Sequence, residues 1–304
     1  GAPMAVLLPF QILLAAAGSS ALATAVTASP GATIKPKVLQ LAALTDRGQR
    51  LNPLIAPAYQ ETKAAMSSLL AELSASGSSL PFTEAALAGE WELVYSECEL
   101  FRSSPFFLAI EEALNSSPGI SALGRFLSGG TLTDPSKKAE LFFKLHQLQV
   151  LSWGLSTVGR VAQKLDFDAG ELESSFDTTI FGLTVVPLLG WGKLLPTFGG
   201  RVLTLADKLT LDSDGTLRME LQKTRVVTAP GVPRIPLVAR LFMDRWYPVN
   251  GVWRLLPWNG GPLDGRAPTC SMQTVYVDAD LRVSRDGAGA LFVYARPLAD
   301  TFAT

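Results

Sequence analysis

The stretch Val275–Ala295, VYVDADLRVSRDGAGALFVYA, carries two apolar rows of period two on either side of a turn. Val275, Val277, Leu281 and Val283 form the first row, Asp286-Gly287 interrupts it, and Leu291, Val293 and Ala295 resume it. Successive side chains of a strand point to opposite faces, so an apolar residue at every second position gives a strand one buried face. Asp-Gly favours the backbone conformations of a tight hairpin. The segment therefore reads as two antiparallel strands.

The same pattern recurs upstream. Leu217, Met219 and Leu221 alternate after Asp214-Gly215, a second hairpin signal. Before that turn Leu203, Leu205, Leu209 and Leu211 alternate, with Asp207 the one intruder. Val161, Gln163, Leu165 and Phe167 form another row, and Trp91, Leu93 and Tyr95 share one face of Gly89–Glu97, GEWELVYSE, opposite Glu90, Glu92 and Ser96. Many antiparallel strands joined by turns predict a mainly β fold whose sheet closes on itself, because closure removes exposed edges. A barrel of about eight strands has room for one small ligand.

Helices flank and interrupt the strands. Val38–Leu44 and Tyr59–Leu73 read as helical, the second with Ala65, Leu69 and Leu73 at four-residue spacing. Ser74–Pro81 has linker composition. Pro105 suits the first position of a helix over Phe106–Leu114, and Leu141, Leu145 and Leu148 line another after Pro135. The expected organisation is an apolar arm at 1–34, a helical lead-in and linker at 35–80, and a barrel domain at 81–304. That domain holds a helical insert at 105–151 and a Trp/Arg-rich loop at 230–270.

Composition narrows the function. Of 304 residues 48% are hydrophobic and 17% charged, and the mean hydropathy is +0.26. This predicts a buried ligand cavity, a membrane-facing surface or extensive subunit contact. A net charge of -1 provides no basic field for phosphate backbones, so nucleic acid is not an expected partner. Two cysteines, Cys98 and Cys270, and one histidine, His146, are too few for a Cys/His zinc site. The cysteines read as two reduced thiols, with a single disulfide as the alternative.

Residues 1–34 contain no charge, and Val6–Val26, VLLPFQILLAAAGSSALATAV, is close to the roughly 20 apolar residues that span a bilayer. Its alanines and Gly18-Ser19-Ser20 weaken it as a span. Three readings stand: a transmembrane anchor, a targeting core with small-x-small sites, or an arm lying on a larger membrane complex.

Several ordered motifs resemble the plastid lipid-associated proteins, or fibrillins. Ala88-Gly89-Glu90-Trp91-Glu92-Leu93-Val94-Tyr95 resembles that family's L-x-G-x-W-x-L-x-Y opening. Arg47-Gly48 matches its lead-in, and Gly159-Arg160-Val161-Ala162-Gln163 resembles its G-x-V-x-Q strand. Tyr276–Arg285 is similar to its closing Y-L-D-D-D-L-R-I-S-R-G, and Leu291-Phe292-Val293-Tyr294 follows as a terminal strand. The hits run over Pro36–Arg296. The resemblance implies a lipocalin-like barrel, residence in the plastid at thylakoids or plastoglobules, and binding of small lipids such as quinones, carotenoids or fatty acids. It implies no shared catalytic residues. The chain departs from the pattern at Asp286, where the family has glycine, in the long segment Pro230–Pro268, and in its uncharged arm.

Within such a barrel Trp91, Tyr95, Gln163 and Arg282 are the candidate ligand-binding residues. Trp91 would plug one end, with Gly89 letting the chain pass close by. Gln163, if inward, needs a partner, which a quinone carbonyl, a backbone group or water would supply, and Asp207 poses the same question. Arg282 and Arg285 are placed to pair with Asp278 or Asp280, and a basic residue near the last strand is expected over the indole. His146 is either a chlorophyll magnesium ligand or an ordinary polar side chain. Two apolar segments, Phe181–Phe198 and Leu237–Trp258, are read as membrane or partner docking surfaces or as lids over the barrel. Trp191, Trp246, Trp253, Trp258, Arg245 and Arg254 are their candidate contacts.

Enzyme signatures are absent from the sequence. Gly154–Gly159 misses the nucleophile-elbow spacing by one residue, and Asp212-Ser213-Asp214-Gly215 lacks the closing acid of a calcium loop. The expectation is a non-enzymatic lipid-binding or structural protein in contact with membrane lipids, its bound molecule a lipid, quinone, carotenoid or chlorophyll. The alternative is a peripheral or linker subunit of a photosystem–antenna assembly that uses the barrel as a scaffold.

Overall fold

The alternating segments of the main sheet pair edge to edge until eight strands close on themselves. The computed structural model describes residues 30–49, 56–78, 80–116, 143, 156–180, 185–186, 192–193, 198–228, 243–253 and 267–298. Helices α1 (Pro30–Leu44), α2 (Ala56–Ala75) and the single turn α3 (Glu84–Leu87) lead into β1 (Gly89–Ser96). A 3-10 turn, Leu100–Ser103, and α4 (Pro105–Ser116) follow. Then come β2 (Ser156–Asp166), β3 (Glu171–Ile180), the two-residue pair β4 (Val185–Val186) and β5 (Gly192–Lys193), β6 (Phe198–Leu211) and β7 (Thr216–Thr228). Short β8 (Tyr247–Pro248) and the helix Val249–Trp253 precede β9 (Thr269–Val277), β10 (Leu281–Arg285) and β11 (Leu291–Ala295).

Strands β6, β3, β2, β1, β11, β10, β9 and β7 lie side by side in that order, and β7 pairs back onto β6. The result is a closed antiparallel barrel of eight strands, the mainly β class expected. Strand β8 occupies the edge of β7 at Lys223 and Thr224, beyond the point where β9 leaves it. Both predicted hairpins form. Gly215 takes φ +84 in the first, where a Cβ would lie 2.7 Å from the Thr274 carbonyl. In the second the turn runs from Asp286 to Ala290, Asp286 accepting from the Ala288 and Ala290 amides, so Gly289 and not Gly287 has the positive φ.

Two apolar clusters hold this frame. One joins inward side chains such as Trp91, Leu93, Leu165, Leu172, Met219 and Phe292 to Phe101 of the 3-10 turn and to Phe107–Ile110 of α4. The other lies outside the barrel. Ile34, Val38 and Ala42 of α1 and Met66, Leu70 and Leu73 of α2 cover Tyr95, Tyr276, Leu281, Val283 and Val293. Each large apolar side chain so buried contributes about 1.5–3 kcal/mol. The helical seam explains why α1 starts earlier than expected: Ile34 sits one turn before Val38. It also corrects the reading of α2, because Ala65 is exposed and Met66, Leu70 and Leu73 face the sheet.

The outer cluster overturns the expected faces of β1 and β10. In β1 the register shifts between Leu93, opposite Tyr294, and Tyr95, opposite Val293. This bulge turns Tyr95 to the outer face, against α1 and α2, so Tyr95 is not a barrel-lining residue. In β10 the apolar residues Leu281 and Val283 point outward, and Arg282 points inward beside Tyr294. Strand β6 carries two further register shifts, so its leucines do not share one face. Thr204 and Ala206 face the interior there, and Asp207 lies opposite Glu220 on the outer face.

Asp278 and Asp280 pair with Lys35 of α1, at 3.0 and 3.2 Å, and not with Arg282 or Arg285. Cys98 and Cys270 are free thiols. Among the described residues no helix is long and apolar enough to cross a membrane, and no group of metal-ligating side chains is present. The arm before Pro30, most of the insert beyond Ser116, His146, Trp191, Arg254 and Trp258 lie outside the described residues.

Candidate functional site

Near the start of β1, Trp91 lies close to two arginines, Arg296 and Arg282. Its indole N–H donates to the Leu87 carbonyl at 2.8 Å, which fixes the ring beneath the α3 turn. The Arg296 guanidinium lies 3.8 Å from the ring centre and donates to the carbonyls of Ala88 (2.5 Å) and Ala86 (3.0 Å). Gly89 stands at φ +93, and a Cβ there would lie 2.8 Å from Arg296 Nη1, which is why glycine precedes this tryptophan by two residues. The basic residue expected over the indole is therefore chiefly Arg296, beyond the last strand, a position reached only once the sheet closes β11 against β1.

Arg282 approaches from within. It is fully buried, with its guanidinium carbon 5.3 Å from the Trp91 ring centre and 4.3 Å from that of Tyr294. Nη2 donates to Gln163 Oε1 at 2.6 Å, and Gln163 Nε2 donates to the Ser103 carbonyl at 2.9 Å. The amide of Gln163 is thus oriented by the 3-10 turn that reaches in from the sequence after β1. Nε and Nη1 of Arg282 are buried without a hydrogen-bond partner. No carboxylate pairs with Arg282 among the described residues. Burial pushes its pKa down to about 10, and a guanidinium at that value is still charged at neutral pH.

Polar side chains continue around the wall from this centre. Gln163 is opposite Ser174, Ser174 opposite Thr204, and Thr204 opposite Thr224. Ser174 and Thr204 are buried, and the Ser174 hydroxyl has no partner. A second row runs from Ser96 through Phe292 and Ser284 to Thr274, with the Ser284 and Thr274 hydroxyls likewise unpartnered. The interior is therefore an apolar core that encloses one buried cation and several hydroxyls without a hydrogen-bond partner.

A different cluster surrounds Arg102, just after the 3-10 turn begins. Glu111 (3.2 Å), Asp286 (3.7 Å) and Glu99 (3.8 Å) pair with it, and its guanidinium lies 4.2 Å from the Phe143 ring centre. Burial raises the Glu111 and Asp286 carboxyls above the usual carboxylate range in spite of Arg102. Burial also pushes the Cys98 thiol up to about 12, against the pull of Arg102, and raises the Cys270 thiol. The surroundings of both cysteines disfavour the thiolate.

The Trp/Arg-rich loop divides. Trp253, expected as a docking contact, is only 2% exposed and belongs to the interior cluster, so it packs as part of a cover. The helix carrying it is anchored by Asn250 donating to Gln222, which donates in turn to Asp207. Asp207 is thereby satisfied at the surface. Trp246 is 37% exposed, with Lys223 Nζ 4.9 Å and the Arg225 guanidinium 4.5 Å from its ring centre, and Arg245 beside it is exposed. Comparison of the chain with family models, with curated proteins and with solved structures returned no match.

Of the four expected barrel residues, the fold brings together Trp91, Gln163 and Arg282 and excludes Tyr95. Arg296, Ser174 and the Ser103 carbonyl were not foreseen. Only Arg296 left a signal, a basic residue immediately after the last apolar row.

Proposed function

We propose that this chain is a non-enzymatic lipid-binding protein of the plastid lipid-associated kind, holding one small amphiphile in its barrel at a thylakoid or plastoglobule surface. The observation that carries the binding step is the buried, unpaired Arg282 among free hydroxyls and apolar walls. A barrel interior packed only for stability would be apolar throughout, since buried polar atoms without partners are destabilising. The plastid setting rests on the resemblance of Gly89–Tyr95, Gly159–Gln163 and Tyr276–Tyr294 to the fibrillin motifs. Native mass spectrometry of protein purified from its own source tests the reading. A co-purifying hydrophobic molecule, released on unfolding, is expected, and a chain that carries none and takes up no lipid overturns it.

A second reading, a peripheral subunit of a photosystem–antenna assembly, is favoured by the exposed Trp246 set between Lys223 and Arg225. Tryptophan and arginine together suit the centre of a protein interface. Co-migration with a photosystem band on a native gel supports it, and recovery only as free or plastoglobule protein counts against it.

A further inference from the structure

We infer that the carboxyl groups of Glu111 and Asp286 share one proton beside Arg102 and so form a pH-sensitive latch, which fastens the 3-10 turn and α4 to the β10–β11 turn in acid and eases them as pH rises. The inference stands apart from the lipid-binding reading, since it concerns how one segment is held to the barrel and not what the barrel holds.

The first ground is an imbalance of buried charge. Glu111 and Asp286 converge on one nitrogen, Arg102 Nη2, with Glu111 Oε1 and Oε2 at 3.2 and 3.3 Å and Asp286 Oδ2 at 3.7 Å. Glu99 stands 3.8 Å from Nη1. The side chains of Glu111 and Asp286 are only 5% and 0% exposed. Fully ionised, this pair alone exceeds the one guanidinium between them, and an uncompensated buried charge is strongly unfavourable. One proton on the pair removes the excess. Among the described residues no other cation faces the cluster. Cys98 and Tyr294 are both pushed up to about 12 by burial, and Glu112 turns away to the Ser271 hydroxyl at 3.5 Å.

The second ground is an oxygen ready for the proton. Asp286 Oδ1 accepts from the Ala288 and Ala290 amides, while Oδ2 is buried without a hydrogen-bond partner. Protonation of Oδ2 therefore breaks no hydrogen bond. Burial is the largest influence on both carboxyls and raises them, the Asp286 charge raises Glu111 further, and Arg102 opposes this only in part.

The third ground is position. The cluster joins the 3-10 turn, α4 and the β10–β11 turn, whose charged members are Arg102, Glu111 and Asp286. Neighbouring Phe101, Phe107, Leu108 and Ile110 pack into the interior, and the Ser103 carbonyl orients Gln163. A change in the latch is thus felt inside the barrel. A carboxyl whose folded pKa lies above its unfolded one contributes stability that is fully present in acid. It loses that contribution as pH rises through the folded value. The window accordingly opens above the ordinary values of 3.8 for Asp286 and 4.5 for Glu111.

Amide hydrogen exchange of the full chain, followed by mass spectrometry over a pH series and corrected for intrinsic exchange rates, tests the latch. Protection of α4 is read relative to α2, which packs on the outer face and not against the cluster. That ratio should fall about tenfold from acid to neutral pH. It should keep its acid value throughout in Glu111→Gln and Asp286→Asn, the second of which retains the oxygen that accepts from the turn amides. A ratio independent of pH in the wild-type chain overturns the inference, as does a pH dependence unchanged in both variants. Carbon-13 titration of the wild-type carboxyls needs no variant. A carboxyl still protonated above the usual range is expected, and titration of every Asp and Glu at ordinary values overturns the latch even where the variants fail to fold.

Discussion

The Arg296 guanidinium sits 3.8 Å from the centre of the Trp91 ring while donating to the Ala86 and Ala88 carbonyls. One side chain thereby ties the end of the last strand to the first strand and to the turn that enters it. Arg296→Ala removes the ring contact and the charge-assisted hydrogen bonds together. A loss of about 2–4 kcal/mol is expected, read from the urea unfolding midpoint. Arg296→Lys should restore less than half of it, because a point ammonium does not span two carbonyls while covering a ring.

Gly89 and Arg296 are coupled through space. In the wild-type chain Gly89→Ala brings both a positive-φ penalty and a clash with Arg296 Nη1. A cost of about 2–3 kcal/mol is expected. In the Arg296→Ala background the clash is gone and only the backbone penalty of about 1 kcal/mol remains. Unfolding measurements on the four chains of this double-mutant cycle check it, and strict additivity would show that the two positions do not touch.

The ion pair between Lys35 and Asp278 fastens α1 to the β9–β10 turn, and its pH window follows from its two shifts. Burial works to raise the Asp278 carboxyl, but hydrogen bonds from the Tyr276 hydroxyl, the Asp280 and Leu281 amides and Lys35 outweigh it, and the pKa falls below 3.8. Burial works to lower the Lys35 ammonium, and the two carboxylates outweigh it, so its pKa rises above 10.5. A depressed carboxyl contributes stability above its unfolded pKa and loses it as pH falls through the folded value. A raised ammonium contributes below its unfolded pKa and loses it as pH rises through the folded value. The stability difference between the wild-type chain and Lys35→Met should therefore be constant between the two and shrink at both extremes. A difference that varies across neutral pH would assign the effect to other groups.

Tyr95 shows where the strand pattern was readable and where it was not. Period-two alternation located β1, β11 and both expected hairpins, because pairing and turn chemistry are local, but it ran β9 and β10 together as one row across the turn at Asp278–Asp280. It did not reveal the extra residue in β1, since Val94 is as apolar as its neighbours and a bulge leaves no mark in hydrophobicity. Nor did it reveal which face of β10 looks inward. Leu281 and Val283 read as barrel core, but α1 and α2 supply a second core outside, and Arg282 and Ser284 take the interior. A strand buried on both faces has no solvent side from which to orient it. The Arg282–Gln163 contact, 119 residues apart in sequence, depends on closure and has no local trace. Tyr95→Ala should accordingly cost about 3–5 kcal/mol by emptying the space under the helices. Lipid uptake by the folded fraction should match that of the wild-type chain, and weaker uptake would return Tyr95 to the barrel interior.

Trp246 and Trp253 flank β8, the second at the end of the short helix Val249–Trp253, and should behave oppositely. Trp253 is buried in the interior cluster, and truncating a buried tryptophan leaves a cavity, so Trp253→Ala should cost about 3–5 kcal/mol. Trp246 keeps its ring at the surface between Lys223 and Arg225. Exposed cation–π contacts are worth about 0.5–1 kcal/mol each, so Trp246→Ala should shift the unfolding midpoint little. Binding to vesicles gives the complementary readout. An amphipathic ring flanked by cations fits the headgroup layer of an anionic membrane, where the cations find phosphate and the ring finds the acyl boundary. Trp246→Ala should reduce sedimentation with vesicles containing anionic lipid, and raising the salt concentration should reduce it further. Unchanged sedimentation of Trp246→Ala would count against membrane docking through this side chain.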